Sequence, residues 1–121
     1  MVTAIAEKLR RLVESVEAAQ AAILVDEDGL TVDSFRHAEA DLDSEALSAE
    51  CNTVVARARD AAERLDFGAV GELILSTDQY HLLCCFVRGG YYLILVLGRS
   101  AILGKGRFHL QRVAFMLHSD L

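Results

Sequence analysis

The sequence predicts an α+β fold, a three-layer sandwich in which an antiparallel sheet lies between helices. The strongest evidence is segment 72–98, which turn signals at 76–79 and 88–90 divide into three runs of strand length. In the second and third runs, apolar residues occupy both alternating faces, over positions 82–87 and 93–97. An antiparallel sheet with one wet face would show polar residues at every second position. We therefore expect helices to cover both faces of this sheet.

The segment before residue 40 predicts a helix and a hairpin. Apolar residues recur at spacings of three and four over positions 3–17, with Thr3 placed as the N-cap. A short apolar run, 21–25, then reaches the Asp28-Gly29 step, which is typical of a hairpin tip. The return arm, 30–35, mixes polar with apolar residues. This mixture favours a position at one edge of the sheet.

A long second helix is predicted from a cap at Asp41 or Asp43 to about Leu65. Its expected core stripe consists of Leu47, Cys51, Val54, Val55, Ala58, Ala62 and Leu65. A second stripe of small residues on the far side consists of Ala46, Ala49, Thr53 and Ala56. Small side chains permit close approach of another helix, although alanine is also simply a good helix former. With a last helix after residue 102, the element order becomes α-β-β-α-β-β-β-α.

Composition indicates one richly cored domain over residues 1–121. The hydrophobic content is 53%, against about 45–50% apolar residues in ordinary globular proteins. A small domain has little interior for such an excess, which favours an oligomer. The formal net charge of −6 opposes nucleic acid and anionic lipid as partners.

The cysteines and the hydropathy pattern predict the cellular compartment of the protein. Three cysteines, an odd number, favour free buried thiols in a reducing environment. No run approaches the roughly 18 apolar residues of a membrane span, and no signal-peptide core follows Met1. We therefore expect a cytoplasmic protein without membrane insertion.

No catalytic residue, cofactor site or metal site is predicted. The glycines near residue 100 are similar in pattern to a phosphate-binding loop, but Gly98 and Gly104 lie one position too far apart. In addition, Gly106 stands where the motif has a metal-binding hydroxyl residue.

A zinc site is suggested by three neighbouring residues, His81, Cys84 and Cys85. On a strand, Cys84 points away from the other two, and no second ligand pair stands at the required spacing. We expect Cys84 and Cys85 to be buried thiols.

The chain resembles the Roadblock family, which includes dynein light-chain and bacterial MglB-like members. The resemblance rests on the hairpin at 22–30, on the meander that ends at 93–97, and on the Leu103-Gly104 step that opens the last helix. It implies a five-stranded antiparallel sheet with the second helix on one face and the first and last helices on the other. It also implies a homodimer formed through the third strand and the second helix. The corresponding residues here are Ala46, Ala49, Thr53, Ala56, Leu73, Ile74, Leu75 and Ser76.

The resemblance also implies a function, because family members bind Ras-like small GTPases or act as scaffolds, and some bacterial relatives stimulate GTP hydrolysis. We expect a non-enzymatic homodimeric regulator or scaffold that binds a small Ras-like GTPase. The alternatives are a structural subunit that bridges a larger assembly and a small-molecule sensor. Arg59 is a candidate arginine finger, but a solvated arginine is the commoner situation. The candidate partner surface consists of Glu45, Asn52, Arg59 and Glu63.

Overall fold

A computed structural model of the protein describes residues 3–121. It contains three α-helices and five β-strands, in the predicted order. These elements are α1 (Ala4–Ser15), β1 (Ala19–Val25), β2 (Thr31–Arg36), α2 (Ser44–Arg64), β3 (Glu72–Ser76), β4 (Tyr80–Phe86), β5 (Tyr92–Gly98) and α3 (Leu103–Leu117), followed by a short 3-10 turn, His118–Asp120.

All five strands form one antiparallel sheet in the order β2-β1-β5-β4-β3. The predicted return arm of the hairpin, β2, is therefore an edge strand, and β3 is the other edge. At the hairpin tip the carboxylate of Asp26 accepts hydrogen bonds from the amides of Asp28 and Leu30, both at 2.9 Å. Gly29 closes the turn with a φ of 86°, a conformation that glycine adopts at little cost.

Helices cover both faces of the sheet, as the sequence predicts. On β5, Leu93, Leu95 and Leu97 pack into a core with α1 and α3. The alternate residues Ile94 and Val96 pack into a second core with α2. The side-chain period of two in a strand thus separates two apolar layers. This arrangement confirms the predicted three-layer sandwich.

Helix α1 begins where its cap predicts and ends earlier than expected. The Thr3 hydroxyl accepts a hydrogen bond from the amide of Ala6 at 3.0 Å. The helix ends at Ser15, not near residue 17, because Val16 is extended and Ala18 has a φ of 69°. The tight bend lets β1 begin at Ala19.

Helix α2 crosses the sheet obliquely. Near the start of α2, the hydroxyl of Ser48 lies 2.9 Å from the hydroxyl of Thr31 on β2. Near its end the Arg59 guanidinium lies 4.1 Å from the centre of the Phe86 ring on β4. The cap is Asp43 and not Asp41, since the Asp43 carboxylate accepts from the first helical amides.

The predicted core stripe of α2 is partly wrong. Cys51 and Val55 are buried, but Val54 is 45% exposed and the C-cap residue Leu65 is 60% exposed. The oblique path turns the flank that carries Val54 towards β3, where no second helix among residues 3–121 covers the sheet. The remaining members of the stripe are half-buried: Leu47, Ala58 and Ala62.

Helix α3 packs closely on β5 through a glycine. A Cβ added at Gly106 would lie 2.5 Å from a methyl carbon of Leu97. Not all apolar residues of this helix are buried, since three of them are exposed: Phe108, Phe115 and Met116.

Candidate interaction surface at helix α2 and strand β3

Strand β3 is a free sheet edge with exposed apolar side chains. It pairs with β4 on one side and has no partner strand on the other among residues 3–121. Ile74 and Leu75 are 39% and 49% exposed. A free apolar edge is a template for pairing with another strand. Leu73 is half-buried and Ser76 is exposed, so all four predicted β3 residues lie along this edge.

An open apolar groove continues from this edge to α2. Its volume is about 210 Å³. We call it the α2–β3 groove, and its lining residues are Leu47, Glu50, Cys51 and Val54 from α2, and Leu73, Leu75, Leu82 and Cys84 from the sheet. Only Glu50 among them is charged. Apolar surface of this kind, beside a free edge, is typical of a protein–protein contact.

The small-residue stripe of α2 lies beside the groove, on the outer side of the helix. Its four members, Ala46, Ala49, Thr53 and Ala56, are all exposed. None of them lines the groove. At 100° per residue, the stripe lies opposite Cys51 and Val55, which face the sheet. Helical spacing predicts Val54 as a core residue, whereas in the structure this side chain is partly exposed and lines the groove.

The candidate partner residues lie on different parts of α2. Glu45, Arg59 and Glu63 are exposed. Asn52 was expected to be exposed, but it is half-buried and accepts a hydrogen bond from the Tyr92 hydroxyl at 3.1 Å. The oblique path of α2 turns this side chain towards β5. Arg59 is not freely solvated, since it stacks over an aromatic ring of β4.

A shallow concavity of about 570 Å³ lies at the end of α2 that carries Arg59 and Glu63. The β4–β5 turn supplies Arg88 and two glycines to its wall, and the segment after α2 supplies Asp66. Both acidic and basic side chains line it, and Arg88 donates a hydrogen bond to the carbonyl of His118 at 3.2 Å. Its mixed charge distinguishes it from the apolar α2–β3 groove.

The three cysteines are free thiols inside the molecule. Cys51 and Cys84 belong to the core between α2 and the sheet, whereas Cys85 faces α1 and α3. A hydrogen bond with the Cys51 thiol, together with burial, raises the pKa of Cys84 above its usual range. Burial also raises the pKa of Cys85. Cys84 and Cys85 are therefore held protonated, which disfavours their reaction as nucleophiles. The same hydrogen bond with Cys84 lowers the pKa of Cys51.

The geometry does not assemble the zinc site that was considered. His81 is buried, and its Nδ1 lies 2.6 Å from the hydroxyl of Ser76 across the β3–β4 hairpin. Cys84 faces the opposite side of the sheet. Within the described part of the chain, no three His, Cys, Asp or Glu side chains converge as metal ligands.

The segment that imitates a phosphate loop is a tight strand-to-helix turn. The amide of Ala101 donates to the carbonyl of Gly98, and the amides of Lys105 and Gly106 both donate to the carbonyl of Ile102. The first amides of α3 are thus partly occupied by the chain itself. Over residues 3–121, no helix is long and apolar enough to cross a membrane.

Comparison with known proteins places this architecture in a family. A model of the Roadblock/LC7 domain matches residues 5–97. The chain therefore belongs to the Roadblock/LC7 family, which confirms the resemblance predicted from its sequence. No curated protein sequence matches it significantly.

Among solved structures, the chain is similar to MglC from Myxococcus xanthus, with 30% identity, a TM-score of 0.72, and coverage of 98% of this chain and 100% of MglC. It is also similar to Myxococcus xanthus MglB, with 19% identity, a TM-score of 0.87, and coverage of 98% and 94%. A further MglB structure, described as having a tetrameric arrangement, shares 21% identity with a TM-score of 0.87 and coverage of 95% and 85%. The likeness to MglB is a likeness of fold.

Proposed function

We propose that this protein is a non-enzymatic homodimeric regulator or scaffold that binds a small Ras-like GTPase. The observation that carries the proposal is the α2–β3 groove, an apolar surface beside a free strand edge in a chain of the Roadblock/LC7 family. The family resemblance supports the choice of partner, and the groove supports dimerisation.

A second copy of the chain is the occupant that fits this surface. Two β3 edges related by a twofold axis pair in antiparallel fashion, and each copy then covers the same patch on the other. Burying the exposed halves of Val54 and Leu75 stabilises the dimer by about 1 kcal/mol for each side chain. The tetrameric arrangement described for one MglB is consistent with self-association in this fold.

The two helices α2 are the other part of the proposed dimer interface. Of the small-residue stripe, Ala46 and Thr53 lie nearer the groove, and Ala49 and Ala56 lie farther from it. Their small side chains let a second helix approach closely. We therefore add Val54 to the predicted interface residues as the contact that joins the helix to the strand edge.

Light scattering of matched variants tests dimerisation. We expect wild type to be a dimer at micromolar concentration and Val54→Glu to be a monomer, since a buried charge without a partner is costly. Val32→Glu is the control, because Val32 is 44% exposed, like Val54 at 45%, but lies on the opposite edge strand. Ala56→Glu tests the outer stripe and should also give monomer. A monomeric wild type would refute the proposal.

The GTPase partner is tested with the same variants. GTPases are first captured from native lysate on the immobilised dimer. Each candidate is then loaded with GTP or GDP, and its affinity for the dimer is measured by titration. We expect Val54→Glu to weaken binding at least about tenfold, or about 1.4 kcal/mol, because the partner surface is formed by two helices α2. Glu45→Lys and Glu63→Lys probe that surface directly. Unchanged affinity for the monomer would show that the dimer is not the platform.

The protein alone should bind no nucleotide tightly. Calorimetry with GTP, GDP and ATP in magnesium is expected to give no micromolar binding, because the turn before α3 lacks the phosphate-loop spacing and its amides bond to Ile102. Micromolar affinity for any of the three would contradict the proposed mechanism. Assembly into a larger complex without a GTPase would instead support the alternative, a bridging subunit.

A further inference from the structure

Helix α3 is a basic element in an acidic protein. Its sequence carries three basic side chains and no acidic one, whereas the whole chain has a formal net charge of −6. These side chains are Lys105, Arg107 and Arg112, and all are exposed. Arg107 bonds to the carboxylate of Glu72 at 2.6 Å. Among residues 3–121, no side chain pairs with Lys105 or Arg112.

Two phenylalanines stand on the outer side of α3, directly opposite its core face. Phe108 is 60% exposed and Phe115 is 79% exposed. They are seven positions apart, which places them on one line along the helix. The core face of the same helix is formed by Leu110 and Leu117, among others. Large aromatic side chains aimed at solvent and flanked by basic residues indicate a recognition surface.

A groove of about 240 Å³ runs beside this line, between α1 and α3. Leu12, Val113 and Met116 supply its apolar part, and its polar rim consists of Lys8, Arg11, Ser15, His109 and Arg112. Lys8 is paired with the carboxylate of Asp120. Arg11 shares the carboxylate of Glu7, at 3.1 Å from Nε, so part of its charge is already compensated. Arg112 is the basic side chain of this rim that is most available to an incoming carboxylate.

We propose that the α3 face, defined as the Phe108–Phe115 line with the α1–α3 groove, binds an acidic amphipathic helical segment of a partner protein. Charge complementarity argues for acidic residues, and the exposed phenylalanines and the apolar groove argue for apolar residues at helical spacing on the same segment. The α1–α3 groove is concave, which suits a helix better than a flat bilayer. An extended anionic membrane would also repel a chain of net charge −6.

This surface is separate from the one assigned to the dimer. The core of α3 lies on the sheet face shared with α1, while the α2–β3 groove opens on the other face. A segment bound to α3 therefore leaves the α2 surface free for a second copy and a GTPase. The α3 face gives the molecule a second point of attachment, which does not depend on the proposed function.

A peptide selection tests the proposal without assuming a sequence. A random display library of peptides of about 15 residues, or roughly four helical turns, is selected against wild type with counter-selection against Arg112→Glu/Phe115→Ser. The enriched peptides are then synthesised with a fluorophore, and binding is measured by anisotropy. Arg64→Glu, an exposed arginine at the end of α2, is the matched charge control.

We expect enriched peptides to be acidic, with apolar residues three and four apart. Their affinity should fall at least about tenfold with either Arg112→Glu or Phe115→Ser alone and stay unchanged with Arg64→Glu. Circular dichroism checks that each variant is folded, since both altered side chains are exposed. Neutral or basic enriched peptides, no enrichment over the counter-selected variant, or binding of wild type to phosphatidylserine-rich vesicles in place of peptide would each overturn the proposal.

Discussion

The hydroxyl of Tyr92 joins the middle of the sheet to α2. The ring is 1% exposed, and the hydroxyl donates to the Asn52 side-chain oxygen at 3.1 Å. The hairpin tip leaves room for this amide, because a Cβ added at Gly29 would lie 2.6 Å from the Asn52 side chain. We expect Tyr92→Phe to lower the free energy of unfolding by about 1 kcal/mol, with Asn52 left partly unsatisfied.

Urea denaturation of Tyr92→Phe, Asn52→Ala and the double variant measures this coupling. If the hydrogen bond is the shared interaction, the double variant loses less than the two single changes together. Strict additivity would mean that the two side chains contribute independently, and that the hydrogen bond does not stabilise the packing of α2.

Cysteine reactivity is also decided at the residue scale. We expect Cys84 and Cys85 to react slowly with iodoacetamide in the native protein, since both thiols are buried and protonated, and mass spectrometry after a labelling pulse checks this. The folded state holds these protons more tightly than the unfolded chain. The contribution of these protonated thiols to the free energy of unfolding is therefore fully present below the ordinary thiol pKa of 9.0. It falls as the pH rises above that value. Rapid native labelling of either residue would show that its thiol is accessible, which would contradict this prediction.

At the scale of the element, two glycines of α3 should respond oppositely to the same substitution. Gly106→Ala adds a methyl group 2.5 Å from Leu97 and should destabilise by about 1–3 kcal/mol through overpacking. Gly104→Ala meets no atom within 4 Å and should stabilise by up to about 1 kcal/mol through helix propensity. Thermal and urea unfolding measure both changes. Equal effects would mean that α3 does not approach β5 closely at Gly106.

The helices and strands also show which parts of the fold can be predicted from the sequence and which cannot. Alternation in β5 correctly predicted two apolar layers, because each face of a strand has a fixed side-chain period. Periodicity also marked Val54 as a core position of α2, but it could not reveal that no other element among residues 3–121 covers this side chain. That depends on the oblique path of α2 across the sheet, which is set by packing. Asn52 was misplaced for the same reason.

At the scale of the whole molecule, the uncovered flank follows from simple dimensions. Five strands at about 4.8 Å spacing form a sheet wider than one helix of about 10 Å diameter. Helices α1 and α3 share one face, whereas in the described part of the chain α2 is the one helix on the other face. The corner over β3 therefore stays open. With 53% hydrophobic residues, the composition predicts more apolar side chains than one small domain can bury. Some of these side chains are exposed at this corner.

Thermal unfolding at different protein concentrations is a final test of how this corner is used. If native dimer and unfolded monomer are the main species, a tenfold rise in concentration stabilises the dimer by about 1.4 kcal/mol and raises Tm by on the order of 3 °C. We expect this dependence in wild type and in Val32→Glu, and its loss in Val54→Glu. Calorimetry over a hundredfold range of concentration measures it. A wild-type Tm that does not change would mean that folding of the single chain is complete without a second copy, and that the α2–β3 groove contributes nothing to its stability.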